Sequence, residues 1–148
     1  MKYLRPFAVT GVLGVNFPTD KSVVRINEDT LEEEIEKIPN TLTWAFTIQY
    51  DLRYLQSFVK DIGLGAPFNH MSLIVEFPMV TCLEYDCSGD TIGYVNPGVV
   101  WIGKKVELGL AARIPVNSST GNDTGIYALV HFFIDDIFSD SLGKPIFK

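Results

Sequence analysis

Cys82 and Cys87 are the two cysteines of the chain, and His70 and His131 its two histidines. Thiols this close in sequence either close a local disulfide in an oxidising compartment or stay free, and they match no zinc-ligand pattern. Around them EYDCSGD, residues 84–90, has the early acidic and glycine positions of a calcium loop. Val95 stands where that loop needs a bidentate glutamate, so a solvated hairpin tip is the expected role. The histidines lie in separate segments without metal spacing, and no nucleophile elbow, phosphate-binding loop or zinc signature occurs. An active site built around Glu76, Asp135 and His131 has no supporting motif. Enzyme activity, a cofactor and a bound metal are therefore not expected.

A second set of polar residues is more informative because of what surrounds it. In KKVELGLAARIPVN, residues 104–117, Val106, Leu108, Leu110, Ala112, Ile114 and Val116 alternate with Glu107, Gly109, Ala111, Arg113 and Pro115. A period of two describes a strand with two unlike faces. The same alternation puts Leu42, Trp44, Phe46, Ile48, Tyr50, Leu52 and Tyr54 opposite Thr47, Gln49, Asp51 and Arg53. It sets Leu73, Val75, Phe77 and Met79 against Ser72, Glu76 and Cys82, and Val95, Val99 and Trp101 against Tyr94, Asn96 and Gly98. In 125–138 it divides Ile126, Ala128, Val130, Phe132 and Ile134 from Tyr127, His131 and Asp135. Residues 3–17 read as a strand on Phe7, Val9, Leu13, Val15 and Phe17, in preference to a secretion signal, since Pro6 interrupts the start and no small-residue cleavage site follows.

Six long strands of about twelve to fifteen residues are predicted, in one antiparallel all-β domain over 1–148. Gly103 and Lys104 mark a tight hairpin; the loops 18–40, 85–90 and 118–124 should all lie at the opposite end. TLEEEIEKI suggests a short helix capped by Thr30, with Leu31, Ile35 and Ile38 on one stripe. Pro6, Pro78, Pro97 and Pro115 fall in proposed strands and each requires a bulge, an edge or a strand end.

Hydrophobic residues make up 47% of the 148, ample for a large core or a lipid-facing surface. A net charge of −6 with 12 Lys plus Arg would repel a polyphosphate, which argues against nucleic acid as partner. Soluble strands are typically five or six residues, while nine to eleven cross a bilayer at a tilt. Aromatics sit towards strand ends on the apolar face (Phe7, Phe17, Trp44, Tyr50, Tyr54, Trp101), as girdle residues do, and the other face mixes small residues with isolated charges. These three features favour a transmembrane β-barrel over a soluble β-sandwich or lipocalin-like barrel binding an apolar ligand.

The segments VNPGVVWIGKKVELGLAARIPVNSSTG and ALVHFFIDDIF followed by SLGKPIF resemble the C-terminal strands of bacterial outer-membrane β-barrel proteins, among them transporters linked to meta-pathway phenol degradation. That resemblance, running from about Leu42 to the end, implies a porin-like channel for small or hydrophobic compounds, located in the outer membrane with the lipid bilayer as its main partner. Six strands are fewer than the eight of the smallest membrane barrels, so the chain is expected to be the C-terminal part of a larger barrel, or to close with missing N-terminal strands or another copy. Gln49, Glu76, Asn96, Glu107, Arg113 and His131 are the expected interior-facing residues, with Arg113 paired to Glu76 or Glu107.

Overall fold

A computed structural model describes residues 2–26 and 33–138. Alternation becomes strand at all six expected places: β1 (Phe7–Asn16), β4 (Thr41–Asp51), β5 (Met71–Cys82), β6 (Thr91–Ile102), β7 (Val106–Pro115) and β8 (Gly125–Phe132). They pair antiparallel in the order β1-β4-β5-β6-β7-β8, a meander into which a separate two-stranded hairpin, β2 (Ser22–Ile26) and β3 (Glu33–Lys37), is inserted. The sheet is open: β1 and β8 are its edges, and every residue of both is exposed.

The register shows why the pattern works. Directly opposed residues share a face, and the apolar parities of all strands coincide: Leu13 meets Trp44 and Trp44 meets Met79. Likewise Val9 meets Ile48, Ile48 meets Val75, Leu73 meets Val99, Val99 meets Leu110 and Leu110 meets Ala128. From β1 through β8 this face bears no Asp, Glu, Lys, Arg or His. No second layer of the described residues covers it, since Leu13 is 72% exposed, Leu110 55% and Ile126 79%. Near one end of it Trp44 Nε1 donates to Thr81 Oγ1 at 3.1 Å and Thr81 shares a 2.8 Å bond with Thr91.

Phe7 and Tyr50, ring centroids 4.8 Å apart, lie at the other end with Trp101 and Phe132. Phe46 and Phe77, stacked at 4.2 Å, sit at mid-strand. The aromatics thus form a belt at one end and an inward column from Trp44, rather than two symmetrical girdles. Tyr54 belongs to neither, because the strand ends at Asp51, whose carboxylate accepts the Tyr54 N–H at 2.8 Å and caps a helical turn, α1 (Leu52–Tyr54). The last strand also stops short of its expected end: Ile134 and Asp135 lie in α2 (Ile134–Ile137).

Segments 17–26 with 33–40, 83–90 and 116–124 all lie at the end remote from Gly103. Segments 17–26 and 33–40 interlock there with 83–90. The Leu83 N–H donates to the Asn40 carbonyl at 2.9 Å, Lys21 lies 3.7 Å from Glu84, and the Lys37 ammonium sits 5.1 Å above the Tyr85 ring. Cys82 and Cys87 form a disulfide with Cα atoms 5.7 Å apart, tying off the 83–90 loop. Where a helix was expected over TLEEEIEKI, Glu33–Lys37 is a strand; Thr30 and Leu31 fall outside the described residues, as does SLGKPIF. A helix of this length is marginal by itself. SVVRI offers a β-branched partner, and the pairing sets Val24 opposite Ile35 and lets Arg25 reach Glu36 on the diagonal.

The prolines are accommodated without bulges. Pro6 precedes β1 and Pro115 ends β7. Pro78 and Pro97 sit at mid-strand, and the ladders are interrupted beside them: β5–β6 pairing breaks after Glu76–Asn96 and resumes at Met79–Gly93, and β6–β7 pairing breaks between Val95–Ile114 and Gly98–Ala111. The register is the same on both sides of each gap, so no residue is inserted; the missing donors cost local pairing only.

Candidate functional site

All six polar residues anticipated for the interior share the face opposite the apolar one. Thr47 opposes Glu76, Glu76 opposes Asn96, and continuity of the β6–β7 register sets Asn96 opposite Arg113. These form one cross-strand row at mid-sheet. Gln49 lies one step along β4, opposite Ala8 and Ile74. Glu107 and His131 oppose each other at the Gly103 end, well away from the row.

The sheet bends towards this face. Tyr127 on β8 donates its hydroxyl to Glu76 Oε2 on β5 at 2.6 Å. Three strand intervals separate those elements, roughly 14 Å across a flat sheet. Side chains standing upright at that separation would not meet, so the bond closes only over a concave surface. Gly98 and Ala111, which lie on this face between the two, leave room for the phenol to lean across. The resulting hollow is about 420 Å³ and is walled by Ala45, Pro78, Val80 and Ile92, with Tyr94, Asn96, Arg113 and Tyr127 as its polar lining.

Arg113 is not held as anticipated. Among the described residues no carboxylate lies within 4.0 Å of it. Glu76 is one strand too far, with Asn96 interposed, and is engaged by Tyr127. Glu107 is on the same strand six residues away, roughly 20 Å at strand rise. The guanidinium instead lies over the Tyr94 ring, Cζ 3.7 Å from the centroid, a cation–π contact that uses its flat face and leaves its N–H edge free. Asn96 is only 6% exposed, and its Oδ1 has no hydrogen-bond partner.

Thr120, from the loop after β7, reaches back to the hollow: its Oγ1 accepts the Gly93 N–H at 2.9 Å and donates to Asn117 Oδ1 at 2.8 Å. Tyr94, Tyr127 and Thr120 were not among the anticipated residues. Parity puts both tyrosines on the polar face, and a phenol there, beside a lone charge, was the available signal; nothing in the sequence places Thr120. Among the described residues no cluster of His, Cys, Asp and Glu could hold a metal ion. The arrangement has a cation and an unpartnered acceptor beside an apolar wall. Comparison of the chain with family models, curated protein sequences and solved structures returns no match.

Proposed function

We propose that the chain forms the wall of an antiparallel β-barrel in the bacterial outer membrane, and that it works as a channel or transporter for small or hydrophobic compounds without enzymatic activity. The observation that carries this reading is the apolar face: six strands wide, free of Asp, Glu, Lys, Arg and His in every strand, and exposed over most of its area. In water such a surface would far exceed the few hundred Å² a soluble protein exposes. Lipid is the solvent in which it is inexpensive. Strand length agrees in five of the six strands, which run 10 to 12 residues; the 11 of β4 rise roughly 37 Å, enough at a 40° tilt to cover a band of about 25 Å, while β8 has 8. The opposite face, with Gln49, Glu76, Asn96, Glu107, Arg113 and His131, would line the lumen. There charged groups tune passage while the outer face anchors.

One further feature supports the reading: the Cys82–Cys87 disulfide suits an oxidising compartment. The connections do not divide into long and short by end, since residues 52–70 join β4 to β5 at the Gly103 end. Closure requires strands beside β1 and β8, from further chain or from another copy. A soluble binder would need its apolar face packed inside. The test is fractionation followed by reconstitution: the protein should enter the detergent phase and make liposomes leaky to small solutes. Recovery in buffer as a stable monodisperse protein would contradict the proposal and return the ligand-binding β-domain as the better reading.

A further inference from the structure

We infer that the hollow beside Tyr94, Asn96 and Arg113 is a binding site for a small organic carboxylate that also carries an apolar body and a hydrogen-bond donor. The inference deepens the channel reading and rests on it for the direction from which solute arrives. Its chemistry comes from groups on the polar face.

The first is Arg113. Stacking on Tyr94 fixes the plane of the guanidinium, and no carboxylate of the described residues occupies its N–H edge. A preoriented fork with a free edge is the geometry that accepts a carboxylate through two parallel bonds. The second is Asn96 Oδ1, in a side chain more than nine-tenths buried and without a donor. Buried acceptors are rarely left empty, because their desolvation is then uncompensated. The oxygen is closed to water in the empty hollow, so a hydroxyl or amide N–H on the solute would reach it only as the Asn96 amide turns towards the hollow. The neighbouring groups are already committed: Glu76 accepts from Tyr127, and the Thr120 hydroxyl is engaged on both sides. The third element is the apolar wall of Ala45, Pro78, Val80 and Ile92, which favours a solute with a hydrocarbon portion over a bare inorganic anion. A volume of about 420 Å³ accommodates a chain of several carbons.

The test uses the full chain in detergent micelles, titrated calorimetrically with 6-hydroxyhexanoate, hexanoate, 1,6-hexanediol and inorganic phosphate. The hydroxy acid should bind best, hexanoate about tenfold more weakly, and the diol and phosphate at least another tenfold below that. Arg113→Ala should weaken both carboxylates at least tenfold, with Arg113→Lys between it and the native protein because the charge remains and the fork does not. Asn96→Leu should abolish the difference between hydroxy acid and hexanoate, and Asn96→Asp should weaken both by repulsion; each variant is first checked for native strand content by circular dichroism. Unchanged carboxylate binding in folded Arg113→Ala overturns the inference, as does a diol that binds as well as the hydroxy acid. Flotation with liposomes separates the two claims. Protein that floats but binds none of these probes removes the site and leaves the membrane reading, whereas protein that binds the hydroxy acid but does not float removes the membrane reading and leaves the site.

Discussion

Leu110→Arg should lower the stability of the bilayer-inserted protein by roughly 2 to 4 kcal/mol, the cost of an arginine on the lipid face near the midplane of a β-barrel. Leu110 is at mid-strand in β7, between Val99 and Ala128 on the face without charges. Phe46→Arg, at the centre of β4 and stacked on Phe77, should cost at least as much. Thr47→Arg is the matched control, one residue along and on the other face, where the new guanidinium meets Glu76 on the neighbouring strand. Ala111 looks equivalent in sequence but is a poor control, because it is 7% exposed and packed near Gly98. Reversible unfolding in urea from liposomes reads the difference. Were Leu110 merely a water-exposed residue of a soluble sheet, the same change would stay within about 0.5 kcal/mol.

Gly98→Ala should destabilise the sheet by about 1 to 3 kcal/mol, through overpacking. An added Cβ would lie 2.7 Å from that of Ala111 and 2.8 Å from the Leu110 carbonyl oxygen, neither of which is the free end of a flexible side chain. β6 and β7 must then separate, in the stretch where Pro97 has already removed pairing. Gly14→Ala is the counterpart. It faces open space on β1 and, by trading a floppy residue for a less floppy one within a strand, should be neutral or stabilising by up to about 1 kcal/mol. Comparable losses at both glycines would mean that the close approach of β6 and β7 is not what Gly98 provides.

Both substitutions depend on features that differ in how far the sequence discloses them. Period-two alternation was enough to find all six long strands and to sort Leu110 from Ala111 and Phe46 from Thr47, because a one-residue slip would have mixed charges into the apolar face. Parity also put Gln49, Glu76, Asn96, Glu107, Arg113 and His131 together on one face. It could not say how far apart they lie on that face. Distance across a sheet depends on its curvature, and the curvature that brings Tyr127 to Glu76 across three strands leaves no local trace. Hence charge alone points Arg113 to a carboxylate, whereas a ring one strand away holds it. Local competition hid the rest. Asp51 caps a turn and ends β4 where the alternation continues, and the acidic run at 33–37 has helical composition but a β-branched neighbour to pair with.

The central claim is that the apolar face meets lipid, and the most direct measurement is the solvent seen by each residue of β4 in the reconstituted protein. Nitroxide labels placed singly at residues 42 to 50 would be scanned for collision with oxygen, which concentrates in hydrocarbon, and with a neutral nickel chelate, which stays in water. Labels at Leu42, Trp44, Phe46, Ile48 and Tyr50 should favour oxygen, with the preference greatest at Phe46, and labels at Thr43, Ala45, Thr47 and Gln49 should favour the chelate. A period of two in opposite phases for the two quenchers is the expected result. Labels at 44, 46 and 48 shielded from both quenchers would place that face against protein, and the transmembrane reading would be wrong.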